Sequence, residues 1–163
     1  MAKVIIVSGS VGSGKTTVAK LLTRMLKARL VDVKMIIEQR KEVVAGYDAK
    51  RKTKEVDIKK LNKIILRIIK SAKETLVIDS HMSHYLPKNA VDLCIICKCD
   101  LKELKKRLQK RKYHAGKVRE NLDAEIFDVC LVEATERGHK IIIIIDTGQD
   151  VKKQVKKIVR LLK

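Results

Sequence analysis

Apolar residues in this chain occur in two alternating kinds of run. Short unbroken runs, VIIV at 4–7, LVI at 76–78, LCII at 93–96 and IIIII at 141–145, have the length and β-branched content of strands buried on both faces. Between them the apolar residues recur three and four apart, as in helices with one buried face. The pattern predicts a strand over Lys3–Ser8, a loop over Gly9–Gly14, and a helix over Lys15–Arg29 carrying Val18, Leu21, Leu22, Met25 and Leu26 inward. A short strand is expected near Leu30–Val33. Residues 35–56 are irregular, with Gly46 as a breaker and a basic run from Lys50 to Lys54. Asp57 then caps a helix with Ile58, Leu61, Ile64, Ile65, Ile68 and Ile69 on one face.

Thr75–Asp79 and Val91–Lys98 read as two further strands. Asp100 with Glu103 has capping-box spacing and opens a helix through Leu101, Leu104 and Leu108. Residues 111–118 break the pattern. A helix is expected over Glu120–Arg137, closed by Gly138, then a fifth strand over Ile141–Ile145 and a last helix over Asp150–Lys163. Strands alternating with helices imply an α/β domain: a five-stranded parallel sheet covered on both faces, with ligands at the carboxyl ends of the strands. The 163 residues contain one proline and no linker-like tract, so one domain over 1–163 is expected.

The strongest chemical signal is GSVGSGKTT, Gly9 to Thr17. It fits G-x-x-x-x-G-K-[ST] between a strand and a helix, where glycines let backbone N–H groups wrap phosphates. Gly9, Gly12, Ser13, Gly14, Lys15, Thr16 and Thr17 are the expected ATP-binding residues. Lys15 would reach the β- and γ-phosphates, and the Thr16 hydroxyl would ligand Mg2+. Asp79 ends an apolar strand as a Walker-B acid does and is the second expected metal residue. His81 follows two places on, within DSHM, and His84 is expected at the surface.

Charge and composition narrow the partners. Lys and Arg number 38 against 19 Asp and Glu, a net +19, so polyanions such as nucleotides or RNA are attracted, unless the basic surface is simply solvated. Only four aromatic residues are present (Tyr47, Tyr85, Tyr113, Phe127), which argues against binding single strands by base stacking. Cys94, Cys97 and Cys99 have tempting metal spacing. They lie in a strand-like run whose neighbours alternate faces, which favours core packing. The apolar start is too short to span a bilayer, and a cytosolic protein without a targeting signal is expected.

Two irregular segments can serve a phosphoryl transfer. Residues 33–56 would close over an acceptor nucleotide, and 110–120 would form a lid. Arg107 and Arg111, one helical turn apart at the lid, can face one ligand.

The phosphate loop, GYD at 46–48, the Asp-x-His of DSHM and ENLDAEIF at 120–127 together resemble the CINAP-type adenylate kinases. The resemblance spans about residues 4–162. It implies a three-layer α/β/α P-loop nucleoside monophosphate kinase fold, adenylate kinase activity, intrinsic ATPase activity, and transient binding to a platform protein of the small ribosomal subunit during its maturation. It assigns Asp79 and His81 to the Walker-B-like motif and Arg111 to the lid. Where many such kinases have a Gly-Asp-Leu-x-Arg-like segment, this chain reads VKMIIEQR, leaving Arg40, with Gln39 beside it, as the acceptor-phosphate candidate. Tyr47 and Asp48 join the expected acceptor set through the GYD match.

His81 stands where common adenylate kinases bring an arginine. A histidine can accept a proton near neutral pH and so activate water; it can equally orient Asp79. Three functions follow: an ATP:AMP phosphotransferase, an ATP-hydrolysing assembly switch acting on a pre-ribosomal particle, with rRNA contacts through the basic surface, or a small-molecule or polynucleotide hydroxyl kinase.

Overall fold

A computed structural model describes residues 2–163. Five parallel strands form the central sheet: β1 (Val4–Gly9), β2 (Arg29–Asp32), β5 (Leu76–Asp79), β6 (Leu93–Lys98) and β7 (Ile142–Asp146), in the order β2-β5-β1-β6-β7. The phosphate-loop strand β1 is central, with Val7 in register with Asp79 and Gly9 with Cys97.

Each strand feeds side chains to both faces, as period-two alternation requires. Ile5, Val7, Val77, Ile95, Cys97 and Ile145 pack against α1 (Lys15–Leu26) and α7 (Val151–Leu162), through Val18 and Leu22 on the first helix and Val155 and Ile158 on the second. Ile6, Val31, Ile78, Cys94 and Ile96 pack on the other face against Leu61 and Ile65 of α3 (Ile58–Ser71) and Ala134 of α6 (Val129–Glu136). The result is a three-layer α/β/α fold. Cys94 and Cys97 lie in opposite core layers, and Cys99 lies in a third cluster with Leu104 and Leu108 of α4 (Leu101–Lys110).

The structure departs from the sequence reading in four places. The first helix ends at Leu26 because Lys27 turns left-handed at φ 51°, which releases Arg29 to open β2. Residues 35–56 are regular: α2 (Val33–Gln39) is capped by Asp32, and β3 (Val44–Asp48) pairs antiparallel with β4 (Thr53–Val56) as a hairpin. Val33, Ile36 and Ile37 tie α2 to the core, a tertiary gain invisible in a seven-residue helix with no strong period.

The expected helix over Glu120–Arg137 is two helices, α5 (Ala115–Ile126) and α6. The break is at Asp128, left-handed at φ 50°, whose carboxylate pairs with Lys98 at the end of β6. The helix also starts earlier than expected, because His114 Nδ1 accepts from Lys117 N and caps it. Finally, His84 is buried, not superficial, within a short 3-10 turn packed on β1.

Candidate active site

The loop from Gly9 to Gly14 closes over its own backbone, with Ser13 N donating to Ser10 O at 3.1 Å. Gly9 has φ +140°, and a Cβ there would stand 2.5 Å from the Cys97 carbonyl oxygen. Gly14 has φ +92° and a Cβ would press on Thr147. Only glycine supplies both the backbone shape and the close approach. Thr147, just after β7, donates its hydroxyl to Ser13 O at 2.6 Å and so holds the loop from the far side of the chain.

Lys15 starts α1 and donates from Nζ to Ser10 O at 2.9 Å, folded onto the loop. Burial lowers its pKa; Asp79 pulls the other way and Arg111 adds to the lowering. Across the site, Thr16 Oγ1 donates to Asp79 Oδ2 at 2.8 Å. Burial raises the Asp79 pKa, against the Thr16 hydrogen bond and Lys15. Both charged groups are thus held where burial opposes their charge, a state that a triphosphate with a divalent cation would relieve. A hydroxyl and a carboxylate side by side are hard oxygen donors of the kind Mg2+ takes, and the glycine cradle beside them has no room for side chains, so these residues fit Mg-ATP.

A cleft of about 710 Å³ runs from the loop across the carboxyl ends of the strands. Gly12, Gly14, Lys15, Thr16, Thr17, Asp79, His81 and Arg111 all line it. His81 sits in the turn after β5, since the strand stops at Asp79. Its imidazole is open to the cleft yet hemmed in by its walls. That enclosure, with Lys15, His84 and Lys117 adding positive charge, lowers its pKa to about 4.

Other expected site residues lie elsewhere. Arg107 faces the loop's outside: Nη1 donates to Gly12 O at 3.3 Å while Nε donates to Glu103 at 3.2 Å. Gln39, Arg40, Tyr47 and Asp48 do not line the cleft. Arg40 is exposed and paired with Glu42 at 3.6 Å, Tyr47 is 63 % exposed, and Asp48 accepts from Arg51 N at the hairpin turn. Away from the loop the cleft is instead walled by Asp32, Lys34 and Ile37 from β2 and α2, Arg51 and Thr53 from the hairpin, and Lys117 and Asn121 from α5. Lys34, Ile37, Arg51 and Thr53 fall inside the segment 33–56 expected to hold the acceptor, and Lys117 inside the expected lid. Which of their side chains face the cleft depends on how α2, the hairpin and α5 fold over it. Neither Asp32 nor Asn121 was an expected site residue in the sequence reading.

Behind the cleft lies a buried polar line. Ser8 Oγ is 2.7 Å from His84 Nδ1, and His84 Nε2 is 2.7 Å from Glu133 Oε2, which also accepts from the Tyr85 hydroxyl at 2.9 Å. Serine, histidine and carboxylate in this order resemble a nucleophilic triad. Ser8 is fully buried within β1, so no substrate reaches it and the line braces the strand that leads into the loop.

The comparisons agree with this geometry. Residues 5–128 match the family described as AAA domain. A "Putative adenylate kinase" of Methanocaldococcus jannaschii is 35% identical over 98% of this chain and 85% of its own length. The "Adenylate kinase isoenzyme 6 homolog FAP7" of Saccharomyces cerevisiae is 32% identical over 95% of this chain and 79% of its own. A solved shikimate kinase from Acinetobacter baumannii superimposes with a TM-score of 0.70 at 17% identity, over 99% of this chain and 93% of that one, which shows the shared kinase fold. With a phosphate loop, an Asp-x-His turn and near-complete coverage by these relatives, the chain belongs to the CINAP-type adenylate kinase family of P-loop kinases.

Proposed function

We propose that this protein is an ATP:AMP phosphotransferase with a secondary ATPase activity. One observation carries the reading: a single cleft joins the phosphate loop to a second, cation-bearing end, with Asp79 and His81 between them. Donor and acceptor bound at the two ends would stand in line, and catalysis would come from position and charge stabilisation.

In transfer, an acceptor phosphate oxygen attacks the γ-phosphorus as the bond to the β-bridging oxygen breaks. The loop N–H groups and Lys15 hold the donor phosphates, while Arg111 and Lys117 face the transferred group. Mg2+, held at Thr16 and Asp79, would offset phosphate charge. The acceptor phosphate is already ionised at neutral pH, with a second pKa of about 6, so transfer needs no base. Water must lose a proton to attack. His81 is open to the cleft, and bound phosphates, by offsetting the Lys15 and Lys117 charges that help hold its pKa down, would make it able to take that proton. The same site therefore supports hydrolysis when the acceptor end is empty.

That hydrolysis favours a second reading. The protein would act as an ATP-driven switch in small ribosomal subunit maturation, bound transiently to a platform protein and the pre-ribosomal particle, with its basic surface against rRNA phosphates. The FAP7 relationship and the net charge of +19 support it. A hydroxyl acceptor would leave the attacking oxygen in need of a base and would make His81 essential to transfer. No helix among the described residues is long and apolar enough to cross a membrane.

The test is to incubate the protein with ATP and magnesium, alone and with each nucleoside monophosphate, and resolve the products. ADP formed in excess with AMP is expected. Phosphate release indifferent to every acceptor would overturn the kinase reading in favour of the switch.

A further inference from the structure

The acceptor end of the cleft lacks the arginine that VKMIIEQR left as a candidate, because Arg40 points to solvent and pairs with Glu42. A phosphate dianion brought there needs cations. Two line that end without belonging to the donor site or lid: Lys34 on α2 and Arg51 at the turn of the β3–β4 hairpin. At the start of α2, Asp32 Oδ1 already accepts from Met35 N, and its carboxylate would repel a phosphate there.

Arg51 is not idle. Its Nε donates to Glu120 Oε2 at 3.2 Å, and Nη2 contacts the other carboxylate oxygen, so the guanidinium holds Glu120 with both forks. This pair joins the hairpin to α5 across the mouth of the cleft, and Glu120 itself lines the cleft. Both side chains are about half exposed, 56% and 45%. Exposed pairs contribute little stability, so a phosphate, with more charge and the same planar fit to a guanidinium fork, can displace the carboxylate.

We propose that Lys34 and Arg51 clamp the phosphate of the acceptor nucleotide, and that Glu120 holds Arg51 across the cleft mouth until that phosphate takes its place. The clamp uses α2 and the hairpin in place of the arginine of the Gly-Asp-Leu-x-Arg-like segment. It also ties acceptor entry to release of the hairpin from α5. The inference rests on the acceptor being a nucleoside monophosphate.

The test compares Lys34→Ala, Arg51→Ala, Arg40→Ala and Glu120→Gln with the wild-type chain. AMP binding is read by calorimetry without turnover, and KM for AMP and for ATP by steady-state assay. Lys34→Ala and Arg51→Ala should each weaken AMP about tenfold or more, the loss of one charge-assisted contact, with KM for ATP within about twofold. Glu120→Gln should tighten AMP about two- to threefold by freeing Arg51. Unchanged AMP affinity in the two clamp variants, or a larger loss in Arg40→Ala, overturns the clamp. Weaker AMP binding in Glu120→Gln overturns the exchange. If the wild type binds AMP but never phosphorylates it, the kinase reading fails while the clamp is still judged by the binding series; if it binds no AMP, both fail.

Discussion

His84 Nδ1 lies 2.7 Å from the Ser8 hydroxyl, 76 residues away in sequence and next to the phosphate loop. Glu133 holds the other ring nitrogen at 2.7 Å. The imidazole thus ties β1 to α6 through a buried ring, and its backbone carbonyl accepts from His139 Nε2 at 2.8 Å. Replacing it by alanine removes one buried and one part-buried hydrogen bond and leaves a cavity. His84→Ala should lose about 2–4 kcal/mol in denaturant unfolding. His84→Gln, which can keep one partner, should recover part of it. A variant as stable as the wild type would show that the line braces nothing.

His81 separates hydrolysis from transfer. His81→Ala should lower ATP hydrolysis in the absence of acceptor about 10²-fold or more, the usual scale of general-base loss, and AMP phosphorylation far less. Equal losses in the two assays would make His81 an orienting group for Asp79.

The same residue predicts a pH effect. Its pKa of about 4 in the folded protein lies below the ordinary 6.5, so the unfolded chain binds the extra proton between those values. Stability from this group is complete above pH 6.5 and is lost as pH falls toward 4. Burial lowers the His84 pKa as well, so it acts in the same direction. Thermal melts from pH 4 to 7 should show a steeper decline for the wild type than for His81→Asn.

Asp79 should trade stability against metal binding. Burial raises its pKa, so its native charge is opposed, and the stability it costs is fully expressed above that raised pKa. Asp79→Asn should therefore raise Tm of the ligand-free protein at pH 7. It should also weaken Mg2+ in the nucleotide complex by at least about 10–100-fold, the scale seen when even an outer partner of a metal ligand is lost. A fall in the ligand-free Tm would mean that the Thr16 and Lys15 contacts outweigh burial.

Buried thiols give a check on the core. Burial pushes Cys94 and Cys97 up to about 12, so neither is a thiolate at neutral pH. A disulfide reagent should label neither in the native protein and both after denaturation; fast native labelling of Cys97 would mean that the sheet opens beside the loop.

Much of this architecture was legible because it is local. VIIV, LVI and LCII are strands wherever they sit, and the glycines of GSVGSGKTT dictate their own loop. The sites of misreading are places where tertiary contacts override a weak local pattern. Asp128 breaks α5 from α6 because Lys98 is there to receive it. His84 is drawn inside because Ser8 and Glu133 satisfy both ring nitrogens. Lys34 reaches the cleft because α2 docks beside it and Arg51 because the hairpin forms over it, and nothing in KRKTK announces which of its cations will face inward.

Thr147 adds a matter of timing. Its hydroxyl closes on Ser13 across a separation of 134 residues, and its backbone N–H on Lys98 O at 2.9 Å. The most recognisable part of the chain is made first by the ribosome, yet it gains this support only after β7 has been added to the sheet. A nascent chain that stops short of residue 147 carries the whole nucleotide signature in its sequence but lacks the hydroxyl that holds the loop in shape. Competence to bind ATP should thus arrive late in synthesis, when the edge strand docks.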